Sequence, residues 1–333
     1  MTTLQVKKIN LQNSYHQTAW QKILASENLR VEHHLSYTAG IYDGEQLIAT
    51  GSLQRNVIKE IAILPHYQGG EVFNLLLSHL MSELSNRGFY HYFVFTKPMY
   101  QQTFEYIGFQ KVAATAEACL LEKGNQSIDE FVKCFSKKEK GVKQQIGCIV
   151  MHANPFTKGH LYLIETAAKA CAQVVVFVVE ADEGMFSYQE RIALVKAGTA
   201  HLSNVEVYGG GAYMVNFATF PSYFIEEEEQ VIHYQTVLDA TIFKEKIAPA
   251  INCTVRYVGE EPFSHTTNLY NQALKEVLLP EVQVQVIPRS ASLDGQIISA
   301  SKVREMIEAG ASEKLADFVP ATTRTFIQEK YHV

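Results

Sequence analysis

Where an apolar strand pattern gives way to a helical one, the chain places Asn154, Pro155, Phe156, Thr157, Lys158, Gly159 and His160 in succession. Residues 145–150 read as a buried strand and residues 161–171 keep a helical apolar period, so the stretch between them is a strand-to-helix turn. The amide N–H groups of a helix's first turn have no partner within the helix, and the helix dipole adds partial positive charge there. Such a turn suits an anion, above all the phosphates of a nucleotide. Gly159 lets backbone and ligand approach closely, Pro155 stiffens the turn, and His160 would bring an imidazole to the same phosphates. Taken alone, a Gly-His pair reads more readily as an ordinary helix start than as a phosphate site.

A second stretch shifts the balance. Ser299, Ser301 and Arg304 follow a strand at 282–287 and open another helix, offering backbone N–H groups, two hydroxyls and a guanidinium to an anion. Two cradles of this kind in one chain point to a single polyphosphate held from both ends.

These turns need a scaffold. The β-branched run at 174–179 fits a parallel strand covered on both faces, and residues 254–258 form another strand that ends at Gly259, Glu260 and Glu261. Strands alternating with helices give a Rossmann-like parallel sheet, which binds ligands beyond the carboxyl ends of its strands, where all these segments fall. The run 186–191 after the second strand resembles a Phe-x-x-x-x-Arg signature of nucleotide-binding α/β enzymes, which implies that Arg191 faces the cleft. Ser187 and Glu190 form a capping box that accounts for the same run structurally. The loop 218–224, with Thr219, Phe220, Pro221, Ser222, Tyr223 and Phe224, would enclose a small organic group or pack onto the core. The acidic run 226–229 meets the positive end of a helix, which explains it without metal binding.

The first third is organised differently. Residues 4–35 give one or two helices, and a hairpin follows with Asp43-Gly44 at its turn. A strand at 57–64 leads through Pro65, Gln68, Gly69 and Gly70 into a helix at 72–86. Then come a strand at 90–95, a helix at 99–107 and a strand starting at 108. His33, His34 and the aromatic run 89–93 lack ligand spacing and fit surface and core packing. The charged segment 136–143 reads as a linker, giving domains at 1–135 and 144–333.

The chain has 333 residues, enough for two domains, and 47% are hydrophobic. A formal net charge of −6 argues against a nucleic-acid surface. Cys119, Cys134, Cys148, Cys171 and Cys253 have no Cys-x-x-Cys spacing, which disfavours a zinc site or disulfide framework and suits a reducing cytoplasm. No apolar run is long enough to span a bilayer and no signal peptide is evident, so a cytoplasmic location is expected.

The spacing of Asn154-Pro155, Thr157, Gly159 and His160 resembles the signature of the nucleotidyltransferase superfamily, and 298–304 resembles the motif by which that superfamily holds β- and γ-phosphates. The first third resembles the GNAT acetyltransferase fold. Two of that family's loop glycines fall at Glu71 and Phe73, which would repel and obstruct a pyrophosphate, so this domain reads as a degenerate helper. Together with Tyr162, Leu163, the 218–224 string and Gly259 to Ser264, the combination resembles the citrate lyase ligase family over nearly the whole chain. The resemblance implies an enzyme that uses ATP with Mg²⁺ to activate acetate as acetyl-adenylate. It further implies that the acetyl group passes to the thiol of a dephospho-CoA-derived arm on the citrate lyase acyl carrier subunit.

It also implies that His160, Thr157 and Arg304 act on the phosphates, and that Asn154, Pro155, Phe156, Gly159, Arg191, Gly259, Glu261, Ser299 and Ser301 bind ATP. Many superfamily members carry a lysine in the segment matching 181–185. It is absent here, and Lys158, Lys302 or Arg191 would supply the charge. The alternative is an adenylyltransferase acting on a phosphate acceptor such as phosphopantetheine or nicotinamide mononucleotide; a non-catalytic nucleotide-binding protein is a more distant one.

Overall fold

The computed structural model describes residues 4–32, 34–135, 145–180, 184–214, 228–260, 265–288 and 297–332. The expected linker, the 218–224 loop, the 181–183 gap and Glu261 lie outside these residues. Two compact units emerge, one from described residues 4–130 and 228–238, the other from 131–214 and 239–332.

The first unit holds β1 (Gln5–Lys8), β2 (Tyr37–Asp43), β3 (Gln46–Gln54), β4 (Val57–Ile63), β5 (His91–Thr96), β6 (Gln110–Ala114) and β7 (Cys119–Gly124) in one sheet of order β1-β2-β3-β4-β5-β7-β6. Only β4 and β5 pair in parallel. Its helices are α1 (Ser14–Ser26), α2 (Gly70–Asn86) and α3 (Gln101–Tyr106). The hairpin closes at Gly44 with φ +63, a backbone state that favours glycine. Two expectations need correcting. The described residues of 4–35 hold one helix, α1, as expected, but a strand precedes it: β1 pairs antiparallel with β2, and in four residues only the half-buried Val6 carries any apolar signal. β7 was not anticipated and slots between β5 and β6.

Helix α4 (Ile128–Lys133) lies at the division between the units. The second unit starts before the expected linker, because Phe135 packs edge-on against Phe177 with ring centroids 5.1 Å apart. Its sheet comprises β8 (Ile146–Met151), β9 (Gln173–Val178), β10 (Val205–Gly209), β11 (Val255–Gly259) and β12 (Gln283–Ile287), all parallel, in order β10-β9-β8-β11-β12. The helices are α5 (Lys158–Ala170), α6 (Tyr188–Thr199), α7 (Glu228–Ile242), α8 (Ala248–Ile251), α9 (His265–Leu278), α10 (Ala300–Glu308), α11 (Leu315–Phe318) and α12 (Ala321–Tyr331), with the first part of α7 falling in the other unit.

Strand alternation divides the core. Val174, Val176 and Val178 face one layer with Ile164, Val303 and Ile327; Val175 and Phe177 face the other with Phe243 and Leu274. The strand order reverses between β8 and β11. Those two strands pair only at Val255↔Gly147 and Arg256↔Cys148, then separate toward their carboxyl ends. A parallel sheet opens its ligand crevice at such a reversal.

Candidate functional site: a cavity between two helix starts

The crevice holds a cavity of about 450 Å³. Thr157, Gly159 and His160 line it from the start of α5, and Ile298, Ser299, Ala300 and Ser301 from the start of α10. The ends of β8, β11 and β12 contribute Met151 and His152, Gly259 and Glu260, and Ile287. The two turns thus share one space.

Each turn is built by capping. Thr157 ends in extended backbone and its hydroxyl accepts from the His160 N–H at 3.3 Å, while the Thr157 N–H donates to His160 Nδ1 at 3.1 Å. The Thr157 hydroxyl also meets Nδ1 at 2.9 Å. With Nδ1 accepting, the neutral imidazole carries its proton on Nε2. The capping box therefore does more than start a helix: it selects the tautomer that can donate to an oxyanion. Ser299 caps α10 by accepting from the Lys302 N–H at 3.2 Å. Both helix starts lend their dipoles to the same cavity.

Arg304 joins the turns. Its Nη1 donates to the Asn154 carbonyl at 2.6 Å and its Nη2 to Ser301 Oγ at 3.0 Å, so a residue of α10 holds the backbone that leads into α5. At Gly159 an added Cβ would sit 3.4 Å from the Ile298 carbonyl oxygen, which shows how near the two segments run.

Four expected ligand contacts stand behind the wall. Phe156 is fully buried in the core against Gly198, where a Cβ would come within 2.4 Å of its ring. Asn154 is buried, and its Oδ1 accepts from the Phe186 N–H at 3.2 Å, bracing the segment after β9. Pro155, buried beside them, follows a cis peptide bond. Arg191 was expected to face the cleft but is fully buried. Its guanidinium donates to the carbonyls of His152 at 2.6 Å, Val179 at 2.8 Å and Phe186 at 3.3 Å. A cation whose donors serve three backbone acceptors is a brace for the turn. It is therefore a poor substitute for the missing lysine; Lys158 is exposed, and Lys302 pairs with Glu305 at 3.4 Å.

The sequence reading passed over His152, Tyr270 and Asn271, which also line the cavity. Tyr270 donates to Asp239 Oδ2 at 3.1 Å; burial, and next the Asp239 carboxylate, push its phenol pKa up. Only the amphipathic face of α9 carries a trace of these two residues in sequence. His152 has lost basicity, first through burial and then through the nearby charges of Arg191 and Arg304.

A parallel sheet with a reversal in strand order, and a helix-start pair around one cavity, define an α/β domain of the nucleotidyltransferase kind. A family model described as the citrate lyase ligase C-terminal domain matches residues 146–327, more than half of the chain. The [citrate [pro-3S]-lyase] ligase of Escherichia coli K12 is 33% identical over 92% of this chain and 89% of its own length. That of Klebsiella pneumoniae is 32% identical over 98% of this chain and 97% of its own. The chain belongs to the citrate lyase ligase family. A phosphopantetheine adenylyltransferase of Actinobacillus pleuropneumoniae is 40% identical, over 20% of this chain and 42% of its own. A solved acetyltransferase from Streptococcus agalactiae is 13% identical, covers 38% of this chain and all of its own, and has a TM-score of 0.33.

Proposed function

We propose that this enzyme uses ATP to acetylate the thiol of the prosthetic arm on the citrate lyase acyl carrier subunit, through acetyl-adenylate. The two whole-length relatives carry the name of a ligase acting on citrate lyase, which supports the acceptor. The chemistry rests on one observation above the rest: Thr157, Gly159 and His160 share a cavity with Ser299 and Ser301.

In the first step an acetate oxygen attacks the α-phosphorus, the bond to the bridging oxygen breaks, and pyrophosphate leaves. In the second the thiol sulfur, giving up its proton, attacks the acetyl carbonyl and AMP leaves. The first step brings two anions together and builds charge around phosphorus, so positioning and fixed positive dipoles are what the protein must supply. The His160 Nε2–H and the α5 amides serve the α- and β-phosphate oxygens. Ser299, Ser301 and the α10 amides hold the part that departs as pyrophosphate. Arg304 fixes the spacing between the cradles and leaves its charge beside them. Mg²⁺ would enter with ATP and would supply neutralisation of phosphate charge; no cluster of three acidic, histidine or cysteine ligands occurs among the described residues.

Acetate-dependent exchange of labelled pyrophosphate into ATP tests the first step, and acetate-dependent AMP formation on addition of the carrier tests the second. Exchange without carrier is expected. Absence of exchange with acetate, together with exchange on a phosphate acceptor, would overturn the reading.

A further inference from the structure

His152 presents a feature that the phosphate cradles do not use. It follows β8 directly and lines the cavity, yet its Nε2 is buried and makes no hydrogen bond. Buried polar atoms without partners are uncommon because each forfeits its hydration, so one that persists beside a binding cavity calls for a ligand. The backbone around it is held from two sides. Arg191 donates to the His152 carbonyl, and Arg304 to the carbonyl of Asn154 two residues on, both at 2.6 Å. Two guanidinium groups thus fix the backbone at and beyond His152, and the charges of both reach its ring.

We infer that His152 is the hydrogen-bonding partner of the small carboxylate substrate, holding it at the carboxyl end of β8 for attack on the α-phosphorus. This rests on the reading above that a carboxylate and ATP react in this cavity. The argument is one of matching charge and size. A polyphosphate is met by the amides, hydroxyls and imidazole of the two helix starts. His152 stands apart from both, on the strand end, and offers a single hydrogen-bonding ring. The charges of Arg191 and Arg304, together with burial, keep that ring neutral. One neutral bond can hold a monoanion without forming the tight ion pair that would blunt its nucleophilicity, while the arginines make the surroundings favourable to negative charge. Met151, Leu163 and Ile298, which also line the cavity, give a methyl group apolar company. His152 is thus a residue for choosing and placing the carboxylate, separate from those that hold ATP.

The test is acetate-dependent ATP–pyrophosphate exchange in the full-length enzyme and in His152→Ala and His152→Asn, with KM measured separately for acetate and for ATP. Loss of the bond should raise the acetate KM about tenfold or more in His152→Ala while the ATP KM stays within about twofold. His152→Asn, which keeps a neutral hydrogen-bonding group, should fall between the two. An acetate KM unchanged in both variants, or acetate and ATP KM values rising together, overturns the inference. Should His152→Ala fail to fold, His152→Asn decides alone, a selective rise in acetate KM supporting the assignment and no rise sinking it. Wild-type enzyme without acetate-dependent exchange would remove the underlying reading and the inference with it, whereas exchange in the wild type with unaltered variants removes the inference only.

Discussion

At the scale of single residues, the site separates groups that face the cavity from groups that hold those in place. His160 is of the first kind: its tautomer is set by Thr157, leaving Nε2–H as a donor. His160→Ala should lower the rate of pyrophosphate exchange by about 10²-fold or more, the usual effect of removing one preorganised donor, with the circular dichroism spectrum retained. Arg191 is of the second kind. Arg191→Met leaves three carbonyls without their donors and should destabilise the second unit by about 3 kcal/mol or more, read from denaturant unfolding. His152 gives a dependence on pH. Its folded-state pKa lies below the ordinary value of 6.5, so on acidification the unfolded chain takes up the proton first. The stability this contributes is complete above pH 6.5 and is lost as pH falls through that value toward the folded-state pKa. His152→Asn should flatten that part of a stability–pH curve.

The same distinction marks what could be read from the sequence. Thr157, Gly159, His160, Ser299 and Ser301 stood out as two matching helix starts, and the structure places all five on one cavity. Asn154, Pro155 and Phe156 stand in the run that leads to His160, and Arg191 closes the separate run 186–191; the family resemblance implies that all four bind the nucleotide. Spacing along a chain does not tell the inner face of a turn from its back, and the structure buries these four side chains behind the cavity wall. His152 was invisible for the opposite reason: what singles it out is an unmade hydrogen bond, a property of three-dimensional surroundings.

At the scale of elements, the turn depends on how α5 and α6 pack. Gly198 lies within α6, where alanine would ordinarily gain about 1 kcal/mol of helix propensity. Here a Cβ would meet the Phe156 ring at 2.4 Å, and that ring has no free space in which to retreat. Overpacking of this kind costs about 1–3 kcal/mol, so Gly198→Ala should lower the unfolding midpoint and, by shifting Phe156, reduce exchange activity as well. The long amphipathic and β-branched elements of both units were readable from their periods. β1 was not, since four residues hold at most two turns of a period-two pattern, and β7 was missed because its partner strands, not its own sequence, fix its place between β5 and β6.

At the scale of the whole molecule, the site exists because the strand order reverses between β8 and β11 and the chain returns to it after β12. That arrangement brings Asn154 and Arg304 into a hydrogen bond across 150 positions of sequence. Parallel strands alternating with helices made the architecture foreseeable; the early divergence of β8 and β11 after two residue pairs was not, because register leaves no mark in composition. The proposed division of labour sets α5 at the phosphate that is attacked and α10 at the phosphates that leave, on the two sides of one cavity. Equilibrium titration of ATP and of AMP against the wild type and Ser299→Ala/Ser301→Ala tests that division most directly. The account predicts that ATP binding weakens about tenfold or more while AMP binding is unchanged, because AMP lacks the groups that α10 holds. Equal weakening of both nucleotides, or no weakening of either, would contradict it.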